Sequence, residues 1–412
     1  MILYFLLILI VLILLGLIVA LVYFSPLMNK LPKSTGPYSV GSVTYDWVDS
    51  SRREKLSKNS KDKRELVVQV WYPSKKNKKS KRLSYLPGRM RHIRRSFSKF
   101  SHLPKFICKN LFDIKSQTIS KADILQDESA FPVIIFSHGL EAYRDSYEIF
   151  INELVSYGYV VVGIDHTYGC GLTQFPDGRL ANVHKRLENK NLLDNDWIVF
   201  AIGVVDTWVK DIKFVLDKLK TINSDSKSRF FKKLDLNGVG MLGHSFGGIT
   251  AVEAARQDPR IKIGISMDGW NSDINSSRRI DKPFVFLLGD ESLYSGLAKD
   301  LSPKFFSILK MSKEQYKNWS EKMVSVRESF CTESGENCYQ IFIKDSGHGV
   351  FTDFIFLRKP LRKWLNLNMG DVDPYDSTKA IRTYLRSFFD KYLLGKDLSF
   401  EEIFELRSPE EK

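Results

Sequence analysis

A serine between two glycines constrains this chain more than any other feature, because the segments around it define the turn on which the serine lies. The motif Gly243–Gly247 is Gly-His-Ser-Phe-Gly, with the serine at position 245. The apolar run 236–242 before it predicts a buried strand, and the run 249–256 after it predicts a helix. A strand, a Gly-x-Ser-x-Gly turn and a helix in this order are typical of a nucleophile elbow.

The glycines and the following helix both serve the chemistry of such a turn. Glycine leaves room for the neighbouring strand and helix where a side chain would collide with them. The helix that begins at the serine directs its N-terminal amides at a developing negative charge. We therefore predict that Ser245 is the nucleophile of a serine hydrolase.

A general base is predicted further along the chain. Three apolar runs, 261–267, 282–288 and 339–344, predict strands, and the last leads into a glycine-flanked loop that contains His348. A histidine just after a late strand can take the proton of Ser245 and return it to the leaving group. The other histidines are predicted to lie at the surface (His92, His102 and His184) or to make structural hydrogen bonds beside strand ends (His138, His166 and His244).

Two aspartates are candidates for the acid that orients this histidine. Asp268 follows the predicted strand 261–267, and Asp290 follows the next one, 282–288. The position after that later strand is where many α/β-hydrolases carry their acid, so spacing alone slightly favours Asp290. Either carboxylate could instead cap the end of its strand.

A second glycine-containing loop predicts the oxyanion hole. The apolar run 131–136 predicts an early strand, and it leads into Ser137-His138-Gly139-Leu140. Such a loop supplies one backbone amide to the oxyanion, and the residue after the nucleophile supplies the other. We assign these amides to Leu140 and Phe246. The alternative for this loop is a simple strand-to-loop turn.

Several further segments give the chain a resemblance to the platelet-activating factor acetylhydrolase family of sn-2 phospholipases, which have the α/β-hydrolase fold. The resemblance covers about residues 35–395. The segments that carry it are 36–41 (GPYSVG), 67–73 (VVQVWYP), 131–147 (FPVIIFSHGLEAYRDSY), 159–166 (YVVVGIDH), 266–270 (SMDGW), 348–354 (HGVFTDF) and 369–373 (MGDVD).

This resemblance implies an α/β-hydrolase fold, with a mostly parallel central sheet flanked by helices, and it places the acid at Asp268. It also implies a calcium-independent esterase that removes short or oxidised sn-2 acyl groups from phospholipids through an acyl-enzyme. Segments 74–83, 171–200 and 291–335 do not match the family well, and substrate selectivity is expected there. The alternatives are a general carboxylesterase or lipase for other short-chain esters, and a non-catalytic, membrane-anchored binding protein.

No cofactor or metal is predicted, since the sequence has no metal-ligand spacing and no glycine-rich phosphate loop. The net charge is +14, but no nucleic-acid-binding signature accompanies it, so no nucleic-acid partner is expected. Residues 88–116 interleave basic and aromatic side chains and predict a helix on an anionic lipid surface. Segment 354–364 has a similar composition; the alternative for both segments is a helix packed on the sheet with a solvated basic side.

The N-terminal segment is predicted to be separate from the catalytic domain, which we assign to residues 27–412. Residues 2–24 are apolar and would span about 34 Å as a helix, enough for a bilayer. We predict that residues 1–26 form a single-pass transmembrane anchor, or else a signal segment, with the membrane side left open. Cys331 and Cys338 are close enough in sequence to close a small disulfide loop.

Overall fold

The computed structural model describes residues 2–24, 28, 30–75, 82–86, 89, 91–92, 114–126, 129–188, 193–269, 279–290, 292, 310–365 and 367–399. Its strands are β1 Ser39–Arg53, β2 Lys63–Ser74, β3 Arg82–Ser84, β4 Lys115–Ser120, β5 Phe131–Ser137, β6 Val160–Asp165, β7 Leu172–Gln174, β8 Leu180–Asn182, β9 Leu234–His244, β10 Ile261–Met267, β11 Phe284–Gly289 and β12 Cys338–Ile343. Its α-helices are α1 Ile2–Phe24, α2 Glu148–Ser156, α3 Lys185–Glu188, α4 Asn195–Ser224, α5 Phe246–Gln257, α6 Lys313–Ser334, α7 Lys359–Trp364 and α8 Pro374–Leu393. Short 3₁₀ turns occupy Gly335–Asn337, His348–Phe351 and Asp353–Phe356.

The large sheet has the strand order β12-β11-β10-β9-β5-β6-β2-β1-β4-β3, and β7 and β8 form a separate pair. The strands from β12 to β6 run parallel to one another. Strand β2 is antiparallel to both of its neighbours, β6 and β1. The predicted α/β fold with a mostly parallel sheet is therefore confirmed.

The central strands of the sheet are buried on both faces, which explains why they are nearly continuous apolar runs. Successive side chains of β5 alternate between the faces: Val133 and Ile135 contact one layer of helices, and Ile134 and Phe136 contact the other. The first layer contains α4 and α5, and the second contains α2 and α8. The result is a three-layer arrangement with the sheet in the middle.

The N-terminal prediction is not confirmed by the structure. Helix α1 covers Ile2–Phe24, and all of its described side chains, those of residues 4–17, are exposed. Over the residues that the structure describes, no helix has both the length and the apolar character that crossing a bilayer requires.

The predicted lipid-interface helix 88–116 lies mainly outside the described residues, which omit 93–113. Where its ends are described, they differ from the prediction. Arg89 is buried, and Lys115 begins strand β4 rather than lying in a helix. A surface helix would have exposed the side chain of Arg89 to lipid or water; the side chain of Lys115 is exposed, but from a strand.

Segment 354–364 follows the alternative given above, in which the apolar side packs on the protein. Ile355, Phe356 and Leu361 are buried in the layer that contains α8, whereas Lys359 and Lys363 are exposed. These three apolar side chains therefore stabilise the core and are not presented to lipid.

A disulfide joins Cys331, near the end of α6, to Cys338 at the start of β12. The sequence permitted this pairing without requiring it. The bond closes the loop that leads into β12, the last strand before His348.

Candidate active site

The predicted site residues meet at one edge of the sheet because they follow neighbouring parallel strands. Ser245 follows β9, Asp268 follows β10, and His348 follows β12. The carboxyl ends of parallel strands lie at the same edge, which is where α/β sheets place their sites. Asp268 and His348, 80 residues apart in sequence, are thereby brought within hydrogen-bonding distance.

Ser245 lies on a strained turn, in the position that the glycine pattern predicts. Its φ of 55° and ψ of −118° fall where residues with side chains are rare, at a cost of about 1–3 kcal/mol. The backbone on both sides is too crowded for side chains. A Cβ at position 243 would lie 1.9 Å from the carbonyl oxygen of Gly247, and a Cβ at position 247 would lie 2.2 Å from that of Ser137.

Asp268 is fully buried, and its carboxylate contacts the ring of His348. The distance from Asp268 Oδ2 to His348 Nδ1 is 2.5 Å. The same carboxylate accepts hydrogen bonds from the Gly289 amide, at 3.1 Å, and from the Ser292 hydroxyl, at 2.5 Å. Three partners from two segments, the end of β11 with the residues after it and the loop after β12, therefore fix its orientation.

His348 contacts His244, the residue before Ser245. The Nε2 atom of His244 is 3.2 Å from the backbone oxygen of His348, and the two ring centroids are 4.7 Å apart. The side chain of His348 is 28% exposed, so the buried carboxylate holds a ring that solvent can reach.

Asp290 has a different set of partners. Its carboxylate accepts the backbone amides of Asp345 and Ser346, each at 3.0 Å, and its own amide donates to Ile343. It therefore caps the start of the loop that carries His348. The ring of His348 is hydrogen-bonded to Asp268, the aspartate that the family resemblance favoured and spacing alone did not.

The amides assigned to the oxyanion hole belong to two segments that adjoin Ser245. A Cβ at Gly139 would be 3.3 Å from that of Ser245, so the loop lies close against this residue. Within the described part of the chain, neither the Leu140 amide nor the Phe246 amide donates a hydrogen bond. Phe246 is the first residue of α5, where helix amides have no acceptor within the helix.

The buried histidines near the site are held in hydrogen bonds, as predicted. His166 lies between the Ser137 hydroxyl, at 3.0 Å, and the Asp211 carboxylate, at 2.9 Å, and it stacks on Trp208. Burial lowers the pKa of His138 well below its usual value and also lowers the pKa of His166. Both rings support the floor of the site as neutral groups.

A buried ionic cluster beneath the oxyanion loop was missed by the sequence analysis. Arg89 contacts Asp145 at 2.5 Å and also pairs with Asp165, and Arg144 pairs with the same Asp165. The three side chains His138, Asp165 and Cys170 are close enough to hold a metal ion. However, two guanidinium groups already neutralise the carboxylate, and they would repel a cation, so we assign no metal here.

Comparison with known proteins places the chain in a family. The family model described as "Platelet-activating factor acetylhydrolase, isoform II" matches residues 24–403. The chain belongs to the platelet-activating factor acetylhydrolase family. Among its relatives, the platelet-activating factor acetylhydrolase of Cavia porcellus is 26% identical, with 91% of this chain and 80% of that protein covered. A probable 1-alkyl-2-acetylglycerophosphocholine esterase of Arthroderma benhamiae is 22% identical, with 66% and 63% covered.

A solved structure supports the fold independently. A ferulic acid esterase from Streptomyces cinnamoneus superimposes with a TM-score of 0.64 and 21% identity, covering 93% of this chain and 97% of that one. At this identity the likeness shows the fold alone. Together with the family membership, the conclusion is that this member of the platelet-activating factor acetylhydrolase family is a carboxylic ester hydrolase.

Proposed function

We propose that the chain is a serine esterase that hydrolyses short or oxidatively truncated sn-2 acyl groups of phospholipids. The observation that carries the proposal is the 2.5 Å contact between Asp268 and His348, beside a serine on a strained turn. The names of the relatives from Cavia porcellus and Arthroderma benhamiae support the substrate class.

In the proposed mechanism, the Oγ atom of Ser245 attacks the ester carbonyl while Nε2 of His348 takes the hydroxyl proton. Asp268 holds Nδ1 of His348, which fixes the tautomer and stabilises the imidazolium. The carbonyl carbon becomes tetrahedral, and its oxyanion is bound by the amides of Leu140 and Phe246.

The tetrahedral intermediate then collapses, and the bond to the sn-2 oxygen breaks. His348 returns the proton to that oxygen, so a lysophospholipid leaves and the acyl group stays on Ser245. Water, deprotonated by His348, attacks the acyl carbon; the bond to Oγ of Ser245 then breaks, His348 returns the proton to that oxygen, and the carboxylic acid leaves. In this scheme two backbone amides carry the developing charge, a role that a cation plays in metal-dependent hydrolases, so we propose that calcium is not required.

We also propose that a membrane surface presents the substrate to the site. The support is the exposed apolar side chains of residues 4–17 and the basic and aromatic composition of residues 88–116. Most of the second segment lies outside the described residues, so its part in the proposal rests on sequence alone.

Replacing Ser245 with alanine tests the proposal. Ser245→Ala should lower kcat for a 2-acetyl phosphatidylcholine by about 10⁴-fold or more and leave thermal unfolding nearly unchanged. A fluorophosphonate probe should label the wild-type chain once, at Ser245, as read by peptide mass spectrometry. EDTA should not change the wild-type rate. Near-normal activity of the variant, or labelling at another residue, would overturn the mechanism.

The substrate class is tested with an acyl series. The rate should fall from acetyl to hexanoyl to palmitoyl at the sn-2 position, measured beside p-nitrophenyl esters of matched chain length. Equal or faster turnover of the p-nitrophenyl esters, with no turnover of the phospholipids, would instead indicate a general short-chain esterase.

A further inference from the structure

Tyr147 has no role in the mechanism proposed above, yet its hydroxyl contacts both the oxyanion loop and the residue before the nucleophile. It is fully buried and directly precedes helix α2, seven residues after Leu140 of the oxyanion loop. Its hydroxyl is 3.0 Å from the Gly139 amide and 2.9 Å from Nδ1 of His244. The other ring nitrogen of His244 is 3.2 Å from the backbone oxygen of His348. A continuous run of contacts thus joins the oxyanion loop, the residue before the nucleophile and the histidine loop.

The chemistry of the groups fixes the direction of these hydrogen bonds. The backbone oxygen of His348 can only accept, so Nε2 of His244 carries a proton and donates it. Burial, with His348 nearby, lowers the pKa of His244 well below its usual value, so the ring is neutral and Nδ1 is an acceptor. The Tyr147 hydroxyl therefore donates to Nδ1 and accepts from the Gly139 amide.

This direction matters for the peptide that carries the proposed oxyanion donor. The Gly139 amide points to Tyr147, and the next amide along the chain is that of Leu140. Gly139 also lies close against this network, since a Cβ there would be only 3.1 Å from Nδ1 of His244 and 3.3 Å from the Tyr147 hydroxyl. A shift of Tyr147 would therefore move the backbone from which Leu140 donates.

We propose that Tyr147 and His244 are positioning residues, which form one hydrogen-bond chain that sets the Leu140 amide and His348 relative to Ser245. This inference rests on the proposed function, because it assumes that those three groups do the chemistry. It assigns to Tyr147 and His244 an effect on the transition state, acting through their neighbours, and no contact with the substrate.

Tyr147→Phe is the first test, because it removes the hydroxyl and keeps the ring. The ring packs edge-on against Phe136, with centroids 4.7 Å apart, and that contact should remain. We expect kcat for p-nitrophenyl acetate to fall about 10- to 100-fold with KM nearly unchanged, because an oxyanion donor acts in the transition state.

The inhibition constant of a transition-state analogue is a measurement that a loss of protein stability alone would not change. A trifluoromethyl ketone adds to Ser245: its carbonyl carbon bonds to Oγ, the hydroxyl proton passes to His348, and the ketone oxygen becomes the bound oxyanion. Its inhibition constant should rise in Tyr147→Phe by the same factor as kcat/KM falls. Tyr159→Phe is the matched control: it also removes a buried hydroxyl, which donates to Asp390 at 2.6 Å, and should leave both constants unchanged.

A double-mutant cycle tests whether the two residues act as one chain. His244→Gln keeps an amide donor near the position of Nε2 but offers no ring acceptor to Tyr147. If one chain operates, the double variant should lose no more activity than the worse single variant, whereas independent effects would multiply. Circular dichroism and thermal unfolding of each variant identify any that fails to fold. If His244→Gln fails to fold, the affinity of Tyr147→Phe for the ketone still tests the proposal.

The outcomes separate this inference from the proposed function. If Ser245→Ala remains active, the proposed function fails. If Ser245→Ala is inactive but Tyr147→Phe keeps the wild-type kcat and ketone affinity, the positioning role alone is overturned. Multiplying losses in the double variant would also overturn it.

Discussion

The loops after β10 and β11 both begin with an aspartate, but the two carboxylates bind different partners. Each neighbouring parallel strand is followed by an aspartate, Asp268 after β10 and Asp290 after β11. Asp268 is fully buried with a φ of 49°, and it contacts the side chains of His348 and Ser292. Asp290 is partly exposed and accepts two backbone amides of the histidine loop.

The difference shows that the position of an acid along the sheet does not determine its role. The left-handed backbone at Asp268 turns the carboxylate toward the ring of His348. Asp290 lies closer to His348 along the strand order, but its oxygens are directed at the backbone that starts the loop. We therefore assign orientation of the ring to Asp268 and orientation of the loop to Asp290.

Asp268→Asn should have the largest effect of the changes that test this comparison. The amide would no longer hold the required tautomer of His348, and kcat should fall by about 10⁴-fold with the fold retained. Steady-state kinetics with a short-chain ester and a circular dichroism spectrum measure the two quantities. A loss below about 10-fold would mean that Asp268 is not the acid.

Asp290→Asn should have a smaller effect, of a different kind. One amide oxygen can still accept one of the two backbone amides, so the loop should loosen without losing its base. We expect a loss in kcat below about 10-fold and a loss in the free energy of unfolding of about 1–2 kcal/mol. Urea titration and kinetics measure both. A loss as large as that of Asp268→Asn would reverse the two assignments.

Much of the sheet could be predicted because its central strands are continuous apolar runs. The run 261–267 matches β10, and the elbow glycines matched a turn in which side chains would collide. The choice between Asp268 and Asp290 could not be made from spacing, because it depends on backbone conformation and on how the loops cross. The resemblance to a family supplied it instead.

Other features could not be predicted from sequence patterns because they depend on residues that are distant in the sequence. Arg89 lies in a basic and aromatic run, so it was predicted at a lipid surface, yet it is buried against Asp145 and Asp165. Only the fold brings those carboxylates together. Tyr147 is part of the segment that resembles the family, but its link to His244 follows from tertiary structure.

Ser292→Ala should have the smallest effect of the three changes. It tests how strongly one hydrogen bond to the Asp268 carboxylate supports the reaction. The serine hydroxyl donates to the same carboxylate oxygen that faces His348, at 2.5 Å. Removing it leaves the Gly289 amide and the ring of His348 as partners, so the carboxylate should keep most of its orientation. The loss of about 1 kcal/mol from one hydrogen bond corresponds to a fall in kcat of about five-fold.

The companion variant Ser292→Thr keeps a hydroxyl and should restore most of that rate. The decisive measurement is made on the Asp268→Asn background, where Ser292→Ala should add almost nothing, since the serine acts only through that carboxylate. If the two losses multiply there, Ser292 reaches the reaction by a separate route. The loop after β11 would then contribute to the reaction independently of Asp268. The roles of the two loops would in that case overlap, although the roles assigned to Asp268 and Asp290 are distinct.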